Sequence, residues 1–287
     1  RNGYSQNSRN NIFNYRAAPS QVSFLGYPGT TALSFIDYMI ADRIVIPENN
    51  IKFFTEKIVF MPDTYYPTDN EREIGSKNIK RSTLNIPEDA FVYCSFNNSY
   101  KISPVEFDIW MNILTKTKNT FLILLSTNDV IKNNLHEEIE KRNINPNRIK
   151  FLNHIPNKEH LSRHKIVDLY LDTFNYNGHT SIVDALWSGL PAITKIGDSF
   201  TARVGASLLE SFNMKALITK SERDYEKLAI KISIDKEFFA KIKKDVLKNK
   251  KLSTLFDTKK YVRNLEKGYE HIYLNKLENR PLKNIYL

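Results

Sequence analysis

Residues 168–191 read DLYLDTFNYNGHTSIVDALWSGLP, and the order strand, turn, helix, stop within them sets the fold class. Leu169, Tyr170 and Leu171 form the short apolar run that a strand covered on both faces of a parallel sheet requires. Asn175, Asn177 and Gly178 make a polar turn. A helix is expected to open at His179, Thr180 and Ser181, run to Trp187 and stop at Gly189, with Pro191 starting the next strand. The first amide N–H groups of such a helix have no partner inside it, and its macrodipole favours an anion there. Ser181, Asp184 and Ser188 lie three and four apart, so they form a polar stripe facing the helix mouth. Ile182, Val183 and Leu186 are left to face the sheet. Phosphates at the helix start and a carboxylate one turn in, for ribose hydroxyls, would suit a nucleoside diphosphate. The same residues also describe an ordinary α/β crossover, with Thr180 as its cap and Asp184 placed favourably in the first turn. This stretch alone leaves both open.

The pattern extends in both directions. From Ala90 onward the spacing predicts strands at 90–96, 121–126, 149–154, 168–173, 192–196 and 216–219. Between and after them it predicts helices at 104–117, 129–142, 158–165, 179–188, 199–212, 222–233, 235–249 and 258–275. Short apolar strands alternating with amphipathic helices mean a parallel sheet covered on both faces and joined by right-handed crossovers. Upstream, Gln21–Leu25, Asp37–Ala41 and Lys57–Phe60 read as three further strands, after a polar, Asn-rich start with a short helix at Asn11–Phe13. Gly26–Thr31 forms a tight loop that either lets backbone approach a ligand or simply turns the chain. Residues 66–88 are polar, carry Pro67 and Pro87, and read as a connection. Two units are therefore expected, an incomplete one over 1–85 and a complete one over 86–287.

The composition limits the partners. The 287 residues carry 42 Lys and Arg against 32 Asp and Glu, a net charge of +10. No stretch has the dense basic and aromatic clustering of a nucleic-acid patch, and the run Lys241, Lys243, Lys244, Lys248, Lys250 and Lys251 reads as the solvated side of a late helix. A nucleic-acid partner is thus suggested by charge alone and is not expected. No apolar run approaches the ~20 residues of a membrane span. The lone Cys94, in an apolar run, fits inert core in a reducing, cytoplasmic setting. The chain opens on Arg1-Asn2-Gly3, from which we expect a piece of a longer protein.

In open parallel sheets ligands bind outside the carboxyl ends of the strands, and polar residues collect after several predicted strand ends. Asn97, Asn98 and Lys101 follow 90–96. Asn157, His160 and Arg163 follow 149–154. His179, Thr180, Ser181 and Asp184 follow 168–173, and Arg203 stands on the helix after 192–196. A lysine as point charge and an arginine as planar fork are the side chains that hold a diphosphate. Each residue alone fits a surface position; their shared edge makes the site. There is no P-loop, no dinucleotide-binding glycine loop and no nucleophile elbow. Neither an Asp-x-Asp pair nor His, Cys and carboxylate spacings suggest a metal.

Several blocks then resemble one family. They are QVSFLGYPGTT (21–31), DYMIADR (37–43), EKIVFMPDTY (56–65), FVYCSFNNSYKISP (91–104), EHLSRHKIVDLYLDTFNYNGHTSIVDALWSGLP (159–191), FTARVGASLLE (200–210) and LFDTKKY (255–261). Together they resemble the catalytic region of the O-linked N-acetylglucosamine transferase and SPINDLY family of protein glycosyltransferases. The resemblance implies a GT-B fold, with two Rossmann-like domains and the nucleotide sugar between them. It implies a diphosphate contact for Lys101 and, for His179, Thr180 and Ser181, the family's His-Thr-Thr at the helix start, here with Ser in third place. It implies ribose binding for Asp184 and base contacts for Asn157, His160 and Arg163. Asn157 stands where some members have Lys, and Asn98 where animal members have Gln. Gly26, Pro28, Gly29 and Thr30 would lie near the donor sugar and the acceptor. The activity implied is inverting, metal-independent transfer of N-acetylglucosamine from UDP-GlcNAc to protein Ser or Thr hydroxyls, without a cofactor. Lys101 and the helix start would stabilise the leaving diphosphate. GDP-fucose transfer, as in SPINDLY-type members, and a catalytically incomplete nucleotide-sugar-binding module are the alternatives. Family members also carry tetratricopeptide repeats that hold acceptor proteins, and histidines in an earlier half of the first domain. Neither is in this chain, so it is expected to bind nucleotide weakly and to transfer little by itself.

Overall fold

The computed structural model describes residues 4, 7–76, 79–126 and 128–287. In chain order the elements are β1 (Val22–Ser23), β2 (Tyr38–Asp42), β3 (Lys57–Met61), β4 (Phe91–Ser95), α1 (Pro104–Lys116), β5 (Thr120–Leu125), α2 (Asp129–Lys141), β6 (Ile149–Leu152), α3 (Asn157–Arg163), β7 (Leu169–Leu171), α4 (Thr180–Trp187), β8 (Ala192–Lys195), α5 (Val204–Ser211), β9 (Ile218–Thr219), α6 (Glu222–Ile234), α7 (Lys236–Leu252), α8 (Thr258–Leu277) and β10 (Ile285–Tyr286). They form two sheets in which every pairing is parallel.

The larger sheet has the order β6-β5-β4-β7-β8-β9. Its first strand in sequence, β4, and its fourth, β7, lie side by side in the middle, so the winding reverses between them. A doubly wound sheet opens a crevice at that reversal, outside the carboxyl ends of the two strands. The core strands explain why the sheet is buried on both faces: Val92, Tyr93, Cys94, Leu122, Ile123, Leu124, Leu169, Tyr170 and Ile193 are all solvent-free. The smaller sheet has the order β1-β2-β3-β10.

The structure departs from the sequence expectations in several places. The strand expected over 216–219 keeps only Ile218 and Thr219, after a 3-10 turn at Lys215–Leu217, and the helix expected over 158–165 ends at Arg163 with a 3-10 turn following. The strand expected over Gln21–Leu25 shrinks to two residues. Gln21 turns its amide to the carbonyls of Phe13 and Phe35, and Leu25 adopts φ 64°, which ends an extended run. The helix expected over 199–212 splits into a 3-10 turn, Phe200–Ala202, and α5. Arg203, at the break, donates from Nε to the Ile44 carbonyl at 2.5 Å and from Nη1 to Gly197 at 2.7 Å. Finally, the carboxyl end returns to the first sheet. The Asn284 side chain accepts from Ile58 N, Ile285 and Tyr286 pair with Val59 and Phe60 of β3, and Gly268 lets α8 lie close against Val59. A two-residue strand of this kind has no local pattern to announce it.

Asp42, buried at the end of β2, joins the two sheets. It accepts from Ile44 N and Val45 N through Oδ1, and from Tyr65 N and Ser207 Oγ of α5 through Oδ2. Among the described residues no helix is long and apolar enough to cross a membrane.

Candidate functional site

A cleft of about 440 Å³ opens at the reversal point. One wall comes from the residues after β4: Phe96, Asn97, Asn98, Tyr100 and Lys101. A second comes from His154, Ile155, Asn157 and His160 around the start of α3. A third is Tyr176, His179, Thr180, Ser181 and Asp184 at the start of α4, with Tyr66 and Leu125 completing it.

The start of α4 is built from below. Asp172, the first residue past β7, is buried and accepts from Gly178 N at 2.6 Å, Thr194 Oγ1 at 2.6 Å and Asn97 Nδ2 at 3.4 Å. Asn97 in turn accepts from Ser181 Oγ at 2.7 Å. Asn177 donates to the Thr173 carbonyl and accepts from Gly205 N. These bonds tie the ends of β4, β7 and β8 to one turn. The N-cap is His179, one residue earlier than the Thr180 cap of the crossover reading, and no side chain caps the helix. Thr180 and Ser181, in the first turn of α4, line the cleft, and no side chain takes up the amides there. Ser181 and Asp184 line the cleft as the stripe predicts, whereas Ser188, the third member, is not on the wall. Its hydroxyl is buried without a partner.

Lys101 reaches across to this turn. Its Nζ donates to the Asn177 carbonyl at 3.1 Å and lies 4.1 Å from the Tyr176 ring centre. Burial lowers its pKa to about 8, although Asp172 beneath it pulls the other way. Asp172 is itself raised to about 7, because burial outweighs its hydrogen bonds. His179 stacks on Tyr176 and meets Tyr66 edge-on. Burial, and then the charge of Lys101, lower it to about 3, so its imidazole is neutral at pH 7. Its Nε2 has no partner. His160 packs edge-on against Phe96 and His164, and burial lowers it to about 4. Asp184 is raised by burial and held down by Arg72, which forms an ion pair with it.

Of the residues singled out from the sequence, Asn98, Lys101, Asn157, His160, His179, Thr180, Ser181 and Asp184 share this cleft. Arg163 is not on its wall. It lies behind, with Nη1 on the Asn153 carbonyl and its guanidinium over Phe96. Gly26, Pro28, Gly29 and Thr30 also stand off this wall. Their loop is anchored to Glu56, which accepts from Thr30 Oγ1, Thr31 N and Thr31 Oγ1. Burial raises the Tyr176 phenol, with smaller contributions from Tyr100 and from Tyr27 of that loop. Sequence reasoning missed Tyr66, Tyr100 and Tyr176 on the wall and Arg72 behind Asp184. A tyrosine inside Asn175-Tyr176-Asn177 was a usable signal, since an aromatic has little reason to sit in a polar turn unless it covers something. Among the described residues no three His, Cys, Asp or Glu side chains converge as a metal site would require.

The model of the family described as Glycosyl transferase family 41 matches residues 1–76 and 74–265. The probable UDP-N-acetylglucosamine–peptide N-acetylglucosaminyltransferase SEC of Arabidopsis thaliana is 33% identical over 274 residues, 93% of this chain and 28% of the relative. The probable UDP-N-acetylglucosamine–peptide N-acetylglucosaminyltransferase SPINDLY of Petunia hybrida is 29% identical over 276 residues, 94% of this chain and 29% of the relative. A solved O-GlcNAc transferase mutant from Thermobaculum terrenum superposes with a TM-score of 0.85 at 25% identity, covering 93% of this chain and 51% of that one. The two parallel sheets thus have the GT-B architecture. The chain spans less than a third of the length of these two curated relatives.

Proposed function

The chain belongs to glycosyl transferase family 41, and from that membership we propose that its cleft holds UDP-N-acetylglucosamine and passes the sugar to Ser or Thr hydroxyls of proteins. One observation carries the reading. At the reversal point of the large sheet, a lysine and an uncapped helix start face one cleft, with a buried carboxylate one turn further in. The first two suit a diphosphate and the third a ribose. Phe96 and His160, on the same wall, would border the base.

In this reading the acceptor oxygen bonds the anomeric carbon while the bond from that carbon to the β-phosphate oxygen breaks, with inversion. The hydroxyl proton passes to water or to a base on the acceptor side, and UDP leaves. Negative charge grows on the diphosphate, where Lys101 and the first amides of α4 stabilise it without a divalent metal. The neutral imidazole of His179 supplies a further hydrogen bond from its unpartnered nitrogen. Gly26, Pro28, Gly29 and Thr30 would border the acceptor side, opposite Tyr176. Tetratricopeptide repeats of the longer protein would hold the acceptor, in a reducing, cytoplasmic compartment that suits the buried thiol of Cys94. The GDP-fucose reading is not favoured, since the SPINDLY relative carries UDP-N-acetylglucosamine in its name.

Calorimetry on this chain with UDP and GDP, in the absence of divalent metal, tests the proposal. UDP should bind, GDP should bind at least about tenfold more weakly, and Lys101→Ala should abolish UDP binding, as loss of a desolvated charge partner costs ~2–5 kcal/mol. A preference for GDP, or a strict need for metal, would overturn it.

A further inference from the structure

The connection between the two sheets contributes a side chain to the cleft's carboxylate. Residues 69–76 run over the helices that carry the site, and they are fastened at both ends. At one end Trp187 Nε1 of α4 donates to the Arg72 carbonyl at 3.0 Å, and the Arg72 guanidinium lies 5.7 Å from the Trp187 ring centre. Arg72 Nε donates back to the Asp69 carbonyl at 3.2 Å. At the other end Gly75 N donates to the Lys158 carbonyl of α3 at 2.9 Å, and a Cβ on Gly75 would meet that same oxygen at 2.9 Å. The segment therefore ties α3, with Asn157 and His160, to α4, with Asp184.

From this fixed arm Arg72 Nη1 pairs with Asp184 Oδ1. The two side chains are only 18% and 9% exposed. Among the described residues no other group donates to the Asp184 carboxylate, and Asp184 lines the cleft. Arg72 thus grips one oxygen and leaves Oδ2 as an acceptor. An arginine there merely to block the carboxylate would not need its backbone bonded to the helix that carries its partner.

We infer that Arg72 is a positioning residue of the donor site, aiming the Asp184 carboxylate so that Oδ2 accepts from the ribose hydroxyls of the nucleoside diphosphate. The inference rests on the nucleotide reading of the cleft. A buried carboxylate left without its cation is disfavoured as an anion and is free to turn, so losing Arg72 removes the ribose contact specifically.

The test compares UDP with 2′,3′-dideoxy-UDP by calorimetry. The unmodified chain should favour UDP by roughly ten- to hundredfold, the worth of hydrogen bonds to a charged group. Arg72→Met should bring the ratio close to one while the dideoxy nucleotide binds much as before. Arg72→Lys, which keeps the charge but not the fork, should retain part of it. Asp184→Asn should match Arg72→Met, and the double variant should lose no more than either alone. A merely structural arginine would instead weaken both nucleotides equally. An unchanged ratio, or tighter UDP binding in Arg72→Met, would overturn the inference while leaving the nucleotide reading intact. If the unmodified chain binds neither nucleotide, that reading fails and the inference with it.

Discussion

Lys101 is held at the edge of its own titration. Burial strips water from the ammonium, and the Asn177 carbonyl and the Tyr176 ring replace only part of it. Its pKa lies at about 8, below the ordinary lysine value. Below pH 8 the side chain is charged, and above it the neutral form takes over. A bound diphosphate favours the charged form, so UDP affinity is expected to hold near pH 7 and then to weaken by up to about tenfold per pH unit above 8. Lys101→Arg keeps its charge throughout and should flatten the profile. Calorimetry from pH 7 to 9.5 reads both, and an unchanged wild-type affinity at pH 9.5 would contradict the assignment. His179 should not contribute to this profile, because it is neutral across the whole range.

At the scale of one element, α4 depends on a glycine at each end for different reasons. Gly178 precedes the helix where there is no room. A Cβ there would sit 2.5 Å from Ser181 Oγ and 3.0 Å from the Tyr170 hydroxyl. Gly189 follows the helix at φ +81°, the left-handed closure that favours glycine. Gly178→Ala is therefore expected to push Ser181 off Asn97 and shift the amides at the helix start. The overpacking should cost roughly 1–3 kcal/mol and should weaken UDP binding. Gly189→Ala should cost about 1–2 kcal/mol of stability and leave binding unchanged, since it acts at the far end. Urea unfolding and nucleotide titration of the two variants separate the cases. Equal binding by Gly178→Ala and the unmodified chain would mean that the helix start is not the anchor.

At the scale of the whole molecule, the buried titratable groups make acid the weak point. His160, His164 and His179 are lowered to about 4, 3 and 3, chiefly by burial. Their unfolded values lie near 6.5. The stability they contribute is present above that value and is lost as pH falls toward the folded ones, because only the unfolded chain takes up their protons. Asp172 acts in the opposite sense. Raised to about 7, it is protonated in the folded chain at pH 5–6 and ionised in the unfolded one. The histidines outweigh Asp172, and these four groups leave a net loss of at most about 2 kcal/mol per pH unit between pH 6 and 5, reduced further by Asp42 and Asp184, whose carboxyls burial also raises. Urea midpoints at pH 7, 6 and 5 should fall accordingly. A midpoint that stays flat over that range would show that these histidines are accessible to water.

The alternation of apolar runs and amphipathic helices after Ala90 was enough to place every strand of the larger sheet. Strand and helix periods are local, and each run had to bury its own surface. The same locality exposed most of the cleft, because Asn98, Lys101, Asn157, His160 and the His179–Asp184 group each follow a strand end by a few residues. What tertiary structure alone decided lies where partners are far apart in sequence. Strand β10 exists only through β3, and Arg163 turned behind Phe96 because the Asn153 carbonyl took it. Arg72 reached Asp184 across 112 positions. No pattern within a window can announce a contact whose energy is supplied from the other end of the chain. The helix that opens after His179 was legible from its own residues, though they alone left an anion site and a plain crossover both open, while the arginine that pairs with its carboxylate was visible only once the chain had folded.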